Sequence, residues 1–419
     1  MATFFQKIRE NFITLLCVIF IAALAGLSWQ SLSTSPYSNL QPKYAVTEGT
    51  PDYKDIIGFD PDRFDWQPYD APAPPPMDPH TKTVYLTWEI PESTPLFVNH
   101  ILFATTNQDA YIYVDNDLVY IHGNWDELTD SRGRTLHFIH LDEGLAGKRL
   151  TIMLHSGYRN WIGSLDYFFI GSEKSLMHKI WLADAIYISS LSIALSLIVF
   201  LVMDLIWRGI DRRRTMQLYL IAFLVSFILW TTGTSSFFSR LIGVPELWWE
   251  LHLIMLYVMP ITFARVTQEI ADKKYKKPIR CLIAVYALVF IIATITEIIG
   301  LDGYMNLLYL FYPILLTSCL VLIYTLFHSS WTQYPACRYG MVAMISLTVF
   351  VGVDALHFEY HLLAGVLSAT IFSIYSTIPF VFFLIRVQMQ EDARLAQQNE
   401  TLTRELQESQ NEAVRDFLT

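Results

Sequence analysis

Residues Trp181–Trp207 read WLADAIYISSLSIALSLIVFLVMDLIW, with one carboxylate near each end and nothing else charged between them. A helix needs about 20 apolar residues to cross the hydrocarbon core of a bilayer, so this stretch is a membrane span. Working outward, seven more stretches of the same kind follow: Phe12 to Trp29, Met216 to Phe238, Trp248 to Thr267, Cys281 to Gly300, Leu307 to Phe327, Tyr339 to Leu356 and Leu362 to Ile385. The composition agrees, since the 419 residues are 53% hydrophobic and only 16% charged, too apolar for a soluble protein of this length. The expectation is a multi-pass protein with eight spans.

Basic residues in short loops set the orientation. Lys7 and Arg9 precede the first span, Arg208, Arg212, Arg213 and Arg214 follow the second, and Lys273, Lys274, Lys276, Lys277 and Arg280 separate the fourth from the fifth. Simple alternation puts all of them on one side, the cytoplasm, with residues 31–179 outside and both termini inside. The first span also satisfies a cleavable signal peptide, with Ala23-Leu24-Ala25 as the small-residue site; its reach to Trp29 favours an uncleaved anchor. Between Pro36 and Lys179, 20 Asp and Glu stand against 11 Lys and Arg, an excess of 9 out of the chain's formal net charge of −10. Such an exterior argues against nucleic acid as a partner. All four cysteines fall in spans or a cytoplasmic loop, so the external part must rest on its own hydrophobic core.

Residues 31–80, which include Ala71-Pro72-Ala73-Pro74-Pro75-Pro76, read as a Pro-rich extended linker. Beyond it the apolar period becomes two. Thr83 to Ile90, Phe97 to Ala104, Ala110 to Val114, Leu118 to His122, Thr135 to Leu141, Arg149 to His155 and Asp166 to Ile170 are short β-branched or aromatic runs punctuated by Gly, Asp, Asn and Pro, and seven strands at this spacing make a β-sandwich over residues 81–179. In Gln108 to Tyr120, an Asp115-Asn116-Asp117 turn joins two strands, with Tyr111, Tyr113 and Asp115 on one face and Ile112 and Val114 on the other. This hairpin resembles one found in galactose-binding-like jelly rolls.

Trp125, Asp126, Arg132, Arg134, Tyr158, Arg159, Asn160 and Trp161 sit between strands. Loops on a rigid scaffold commonly carry binding residues, and aromatic rings stack on sugar or amino-acid faces, so these eight are the candidates for contact with a small carbohydrate or amino-acid ligand. Trp125 and Trp161 equally suit capping of the core or contact with the membrane surface. His137 and His140 point to opposite faces of one strand, which speaks against a shared metal.

Asp204 and Arg265 lie near the cytoplasmic ends of their spans, and Asp184, Glu250, His252 and Glu297 near the outer ends, where water and headgroups are expected to reach them. His357 and His361 are four apart, which is metal-ligand spacing on a helix, but the stretch reads first as an ordinary solvated turn. Pro260 and Pro313 fall within spans, as hinge points.

From Val387 the sequence turns polar. With Leu395 and Leu402 at heptad position d, position a holds Asp392, Asn399, Leu406 and Ala413, a thin seam of the kind that lets a parallel dimer switch. A lone solvated helix is the other reading of these residues. An external sandwich (81–179), seven spans (180–386) and a signalling coil (387–415), after an anchor or signal segment (1–30) and a linker, resemble the bacterial 7TMR-DISM receptors, the seven-transmembrane receptors with diverse intracellular signalling modules. The final Asp416-Phe417-Leu418-Thr419 resembles the Asp-x-Leu-Thr opening of GGDEF domains. That resemblance implies an inner-membrane homodimer with a periplasmic sensor, whose output is a diguanylate cyclase making cyclic di-GMP from GTP with Mg. Residues 1–419 contain no GGDEF loop and no phosphate-binding loop, so no cofactor and no catalytic residue are expected within them. A histidine kinase output, or a transporter with an external substrate-binding domain, are the alternatives.

Overall fold

The computed structural model describes residues 42–48, 51, 53–69, 80–123, 133–142, 144–158, 161–165, 168–208, 215–235, 237–238, 241, 243–332 and 336–360, with isolated positions between 374 and 405. Among the described residues, nine strands form two antiparallel sheets. They are β1 (Lys43–Glu48), β2 (Gln67–Pro68), β3 (Thr81–Glu89), β4 (His100–Thr106), β5 (Asp109–Val114), β6 (Asp117–His122), β7 (Arg134–His140), β8 (Arg149–His155) and β9 (Phe168–Gly171). The larger sheet runs β2-β1-β3-β8-β5-β6 and the smaller β7-β4-β9. All seven strands expected from the alternation are present, each within a few residues of its expected bounds.

Period two explains how the sheets meet. In β3, Val84, Leu86 and Trp88 point into a core shared with Ile112, Ile152 and Leu154 of the same sheet and Ile101, Phe103, Ile139 and Ile170 of the other. A fully buried Leu, Ile or Phe stabilises by roughly 1.5 to 3 kcal/mol, so this one layer can hold the domain without disulfides. The Asp-Asn-Asp hairpin between β5 and β6 is also present: Asp115 takes a positive φ of 57°, and its carboxylate accepts from the Arg149 amide at 2.9 Å. Tyr111 and Tyr113 lie opposite Ile112 and Val114, as the alternation requires.

The linker expected over 31–80 is corrected for residues 43–69. Lys43–Glu48 is a strand paired to β3 in register, Tyr44 opposite Leu86 and Ala45 opposite Tyr85. The next segment, with helix α1 (Tyr53–Ile57) and a 3-10 turn at Pro61–Arg63, straps across the outer face of the larger sheet. Ile56 and Phe59 join Tyr85, Tyr111, Tyr113 and Met153 in a second core there. Phe59 stacks on Tyr113 with centroids 4.3 Å apart, and Tyr113 donates its hydroxyl to the Ile56 carbonyl at 2.9 Å. Strands β3, β8 and β5 of the larger sheet are therefore buried on both faces.

Helices follow: α2 (Glu173–Arg208), α3 (Thr215–Thr234), α4 (Pro245–Ile270), α5 (Lys276–Ile298), the short α6 (Gly303–Asn306), α7 (Leu308–Thr332) and α8 (Ala336–Tyr360). Among the described residues five stretches are long and apolar enough to cross a membrane: Glu173–Trp207, Thr215–Thr234, Pro245–Ile270, Lys273–Ile298 and Leu308–Ser329. They match five of the expected spans. The apolar part of α8, Gly340–Asp354, is shorter, and the expected spans at 12–29 and 362–385 lie outside the described residues or nearly so. The chain is thus a membrane-spanning protein with an antiparallel sheet domain ahead of its helices. Pro260 and Pro313 do lie inside α4 and α7.

The first turns of α2 belong to both parts. Leu176 and Ile180 pack with Leu102 and Phe169 on the outer face of the smaller sheet, and Met177 adds to the same cluster beside Leu136 and Phe138. The helix then continues without a break into the bundle, where Ile186, Tyr187 and Ala194 enter the main helical core.

Candidate functional site

The two parts are joined by a bonded junction at the sheet-domain ends of α2, α3 and α4, and it is built from the sheet domain's loops downward. Asn107 and Gln108 fill the tight link between β4 and β5. Asn107 has a positive φ of 51°, a backbone conformation that Asn tolerates better than most residues. Its Oδ1 accepts from the Gly133 amide at 2.8 Å, and its own amide donates to the Gly133 carbonyl at 2.9 Å. Gln108 holds the neighbouring turn: its Nε2 donates to the Ser164 carbonyl at 2.8 Å and its Oε1 accepts from the Gly163 amide at 2.9 Å. Two adjacent amide side chains thereby fix both segments that face the helices.

Each segment places one side chain on the bundle. Arg134, which opens β7, is buried and donates Nη1–H to the carbonyl of Thr234, the last residue of α3. The last carbonyls of a helix have no intrahelical donor and carry the negative end of its dipole, so a guanidinium there satisfies both needs. Trp161 meets Trp249 of α4 edge to face, with centroids 6.4 Å apart. Beneath it, His252 lies between Trp249 and Trp230 in near-parallel stacks at 5.7 and 5.4 Å, and its Nδ1 is 3.0 Å from the Trp230 carbonyl oxygen, which fixes the proton on that nitrogen. The helices approach closely here because Gly233 lacks a side chain: a Cβ on it would lie 2.6 Å from the Trp248 carbonyl oxygen.

Asp184 locks α2 into the same level. It is only 3% exposed; its Oδ2 accepts from the Ser235 hydroxyl at 2.9 Å and from the Phe237 amide just beyond the end of α3. Trp181, one turn above, rests against Phe237 with centroids 4.7 Å apart. The expectation that water and headgroups solvate Asp184 is corrected, since its partners are protein groups; His252 is half-buried, with a tryptophan ring on each side. Toward the other end of α2, Asp204 accepts from Gln217 Nε2 at 2.9 Å, which ties α2 to α3 again.

Of the eight residues read as ligand contacts, Arg134, Tyr158 and Trp161 are described. Arg134 is corrected from a connection to the first position of a strand, with its guanidinium directed to α3 rather than to an open loop. Trp161 lies against Trp249 of α4. Tyr158 lies in the same turn, its amide donating to Ser156 Oγ at 3.0 Å, while that hydroxyl donates to the Asn107 carbonyl at 2.6 Å. Trp125, Asp126, Arg132, Arg159 and Asn160 lie outside the described residues, as do Asp392, Leu395, Asn399, Leu406 and Ala413 of the expected coil. Leu402 is helical and 60% exposed. His357 belongs to α8, and His361 lies outside the described residues. No group of three metal-ligating side chains occurs among those described.

The sequence reading missed Asn107, Gln108, Gly133 and Asp184 as members of this junction. Asn107 and Gly133 had a signal of sorts, since Asn and Gly mark positive φ, but nothing in the sequence pairs them. What the site can do is mechanical: it couples the placement of β7 and the 161–164 turn to the ends of three helices. No protein-family model matches the chain, and no curated protein matches it.

Proposed function

We propose that this chain is the sensing and membrane portion of a homodimeric receptor of the bacterial inner membrane, with the sheet domain in the periplasm and the polar helix after Val387 in the cytoplasm. A small ligand, such as a carbohydrate or amino acid, binds the loops of the sheet domain, and the change passes through the helices to a parallel coil seamed by Leu395, Asn399, Leu402, Leu406 and Ala413. The output is a diguanylate cyclase using GTP and Mg, an assignment that rests on the resemblance of Asp416–Thr419 to the opening of GGDEF domains.

The observation that carries this reading is the junction. A tethered domain that merely captures solute needs no fixed geometry against the spans, whereas here Arg134 caps α3, Asp184 binds the turn after it, and α2 runs unbroken from the smaller sheet into the bundle. A ligand shifts such an equilibrium only by its difference in affinity for the two states, and a tenfold difference is worth about 1.4 kcal/mol, comparable to one hydrogen bond at the junction.

The test is a fusion of this chain to a cyclase domain of known activity, assayed for cyclic di-GMP across a ligand screen, together with disulfide trapping of Leu395→Cys and Leu402→Cys in membranes. Ligand-dependent output and a cross-linked dimer support the reading. Constant output across the screen, combined with solute uptake into vesicles, would replace it with a transporter.

A further inference from the structure

The smaller sheet, which touches both α2 and the junction, carries two contacts between imidazole rings, one on each face. On the inner face, His122 of β6 meets His137 of β7 edge to face with centroids 4.9 Å apart. This contact bridges the open edges of the two sheets, because β6 ends the larger sheet and β7 the smaller. On the outer face, His100 of β4 and His140 of β7 sit opposite each other in register, with ring centroids 4.6 Å apart. Four of the domain's histidines are therefore paired, and each pair includes a residue of β7, the strand that begins at Arg134.

The surroundings of the two pairs differ. His137 is 1% exposed; its Nε2 lies 2.8 Å from Thr105 Oγ1 and its Nδ1 3.1 Å from the Tyr120 hydroxyl, and its ring stacks on Phe103 at 4.4 Å. From β4 and β6, then, hydroxyls and aromatic rings face it, with His122 the one other titratable imidazole, and no carboxylate acts on either ring among the described residues. Burial holds His122 below the usual imidazole range, and burial together with His122 holds His137 well below it. The outer pair has acids at hand. His140 Nε2 is 3.7 Å from Asp142, and His100, whose Nδ1 is 2.8 Å from Asn99 Oδ1, is lowered by burial and by His140 but drawn upward by Glu173, the first residue of α2.

We infer that acidification is a stimulus this chain reads, through the pairs His122–His137 and His100–His140 that key β7 to its neighbours. The inference rests on the receptor reading and supplies a regulator for it. At neutral pH both inner rings are uncharged and hold the sheet edges together. Protons taken up in acid put like charges on rings whose centroids are 4.9 Å apart, while a charged His100 is pulled toward Glu173 at the head of α2. The first pushes β7 away from β6 and the second draws His100 of β4 away from His140 of β7, so β7 shifts against both neighbours, and Arg134 and the first turns of α2 move with it. The sign follows from linkage: the unfolded or opened form binds protons near pH 6.5 and the closed form only lower, so the closed form is favoured above about pH 6.5 and loses ground as the pH falls below it.

The test uses the full chain in nanodiscs, with the native cysteines replaced by alanine and spin labels at Val119→Cys on β6 and Leu247→Cys in the first turn of α4, two exposed positions. The expected result is a change in the distance distribution between pH 7.5 and pH 5.0. His122→Phe keeps an aromatic edge on His137 without a second charge and should move the midpoint down by about half a pH unit or more. His140→Gln, at an exposed position that tolerates change, should shift it in the same direction by less. An unchanged distribution across that pH range, or the same midpoint in both variants as in the parent, overturns the inference. Either result leaves the receptor reading in place, because that reading is judged by the output of the cyclase fusion.

Discussion

Gly133 lies against the first turn of α4 so closely that a Cβ on it would sit 2.7 Å from the Pro245 carbonyl oxygen. Its φ of 101° is also one that side chains resist. Gly133→Ala should therefore lift the end of β7 off the helices at a cost of about 1 to 3 kcal/mol from backbone strain alone, with the clash added. Limited proteolysis of the membrane-embedded protein measures this: cleavage near residue 133 should speed up while the strands of the larger sheet stay resistant. Unchanged cleavage would mean the contact contributes nothing to docking.

Asp184→Ala should leave the Ser235 hydroxyl and the Phe237 amide without their acceptor in a buried place. Each buried donor so orphaned costs about 1 to 3 kcal/mol, and the expected thermal midpoint in detergent falls accordingly. Asp184→Asn keeps an acceptor oxygen and should recover most of the loss, a contrast that separates hydrogen bonding from charge.

The strap over the larger sheet should prove separable from the main core. Phe59→Ala removes a ring stacked on Tyr113 and packed near Tyr85, a change that costs about 3 to 5 kcal/mol in well-packed cores. Tyr113→Phe removes only the bond to Ile56, worth about 1 kcal/mol. Hydrogen exchange should rise across residues 53–66 in the first variant and slightly in the second, with β4 and β7 unaffected in both.

Alkali should unfold the sheet domain in a way that its tyrosines report. Burial pushes Tyr69, Tyr85 and Tyr111 up to about 12, whereas in an unfolded chain a phenol ionises near pH 10. Their contribution is complete below pH 10 and declines as the pH rises through the interval to about 12, by about 1.4 kcal/mol per unit for each group. Phenolate absorbance from these residues should appear together with loss of sheet circular dichroism. Ionisation near pH 10 in a folded domain would contradict the burial.

The seven strands from Thr81 onward were legible because one face of each is apolar and the turns between them carry Gly, Asn and Asp. β1 was not: Lys43-Tyr44-Ala45-Val46-Thr47-Glu48 alternates over too short a length, and it is set among prolines and aspartates that argue for an open chain. Only its pairing with Leu86 and Tyr85 reveals it as a strand. The same holds at the junction. Arg134 and Trp161 stood out as residue types, but that one caps a helix and the other meets Trp249 depends on contacts across about a hundred positions of sequence, and periodicity carries no such information. Asp184 looked like an interfacial carboxylate because its neighbours in sequence are apolar, whereas its partners come from the end of a different helix.

The 36 residues of α2 contain neither glycine nor proline, unlike α4 and α7 with their internal Pro260 and Pro313. At 1.5 Å per residue the helix is about 54 Å long, with no joint along it where a twist could dissipate. One residue added or removed between Ile180 and Asp184 would turn everything below by about 100°, carrying Asp184 away from Ser235. The angular phase between the smaller sheet and the bundle is therefore quantised, and the spacing of those residues is as much a part of the coupling as their identity.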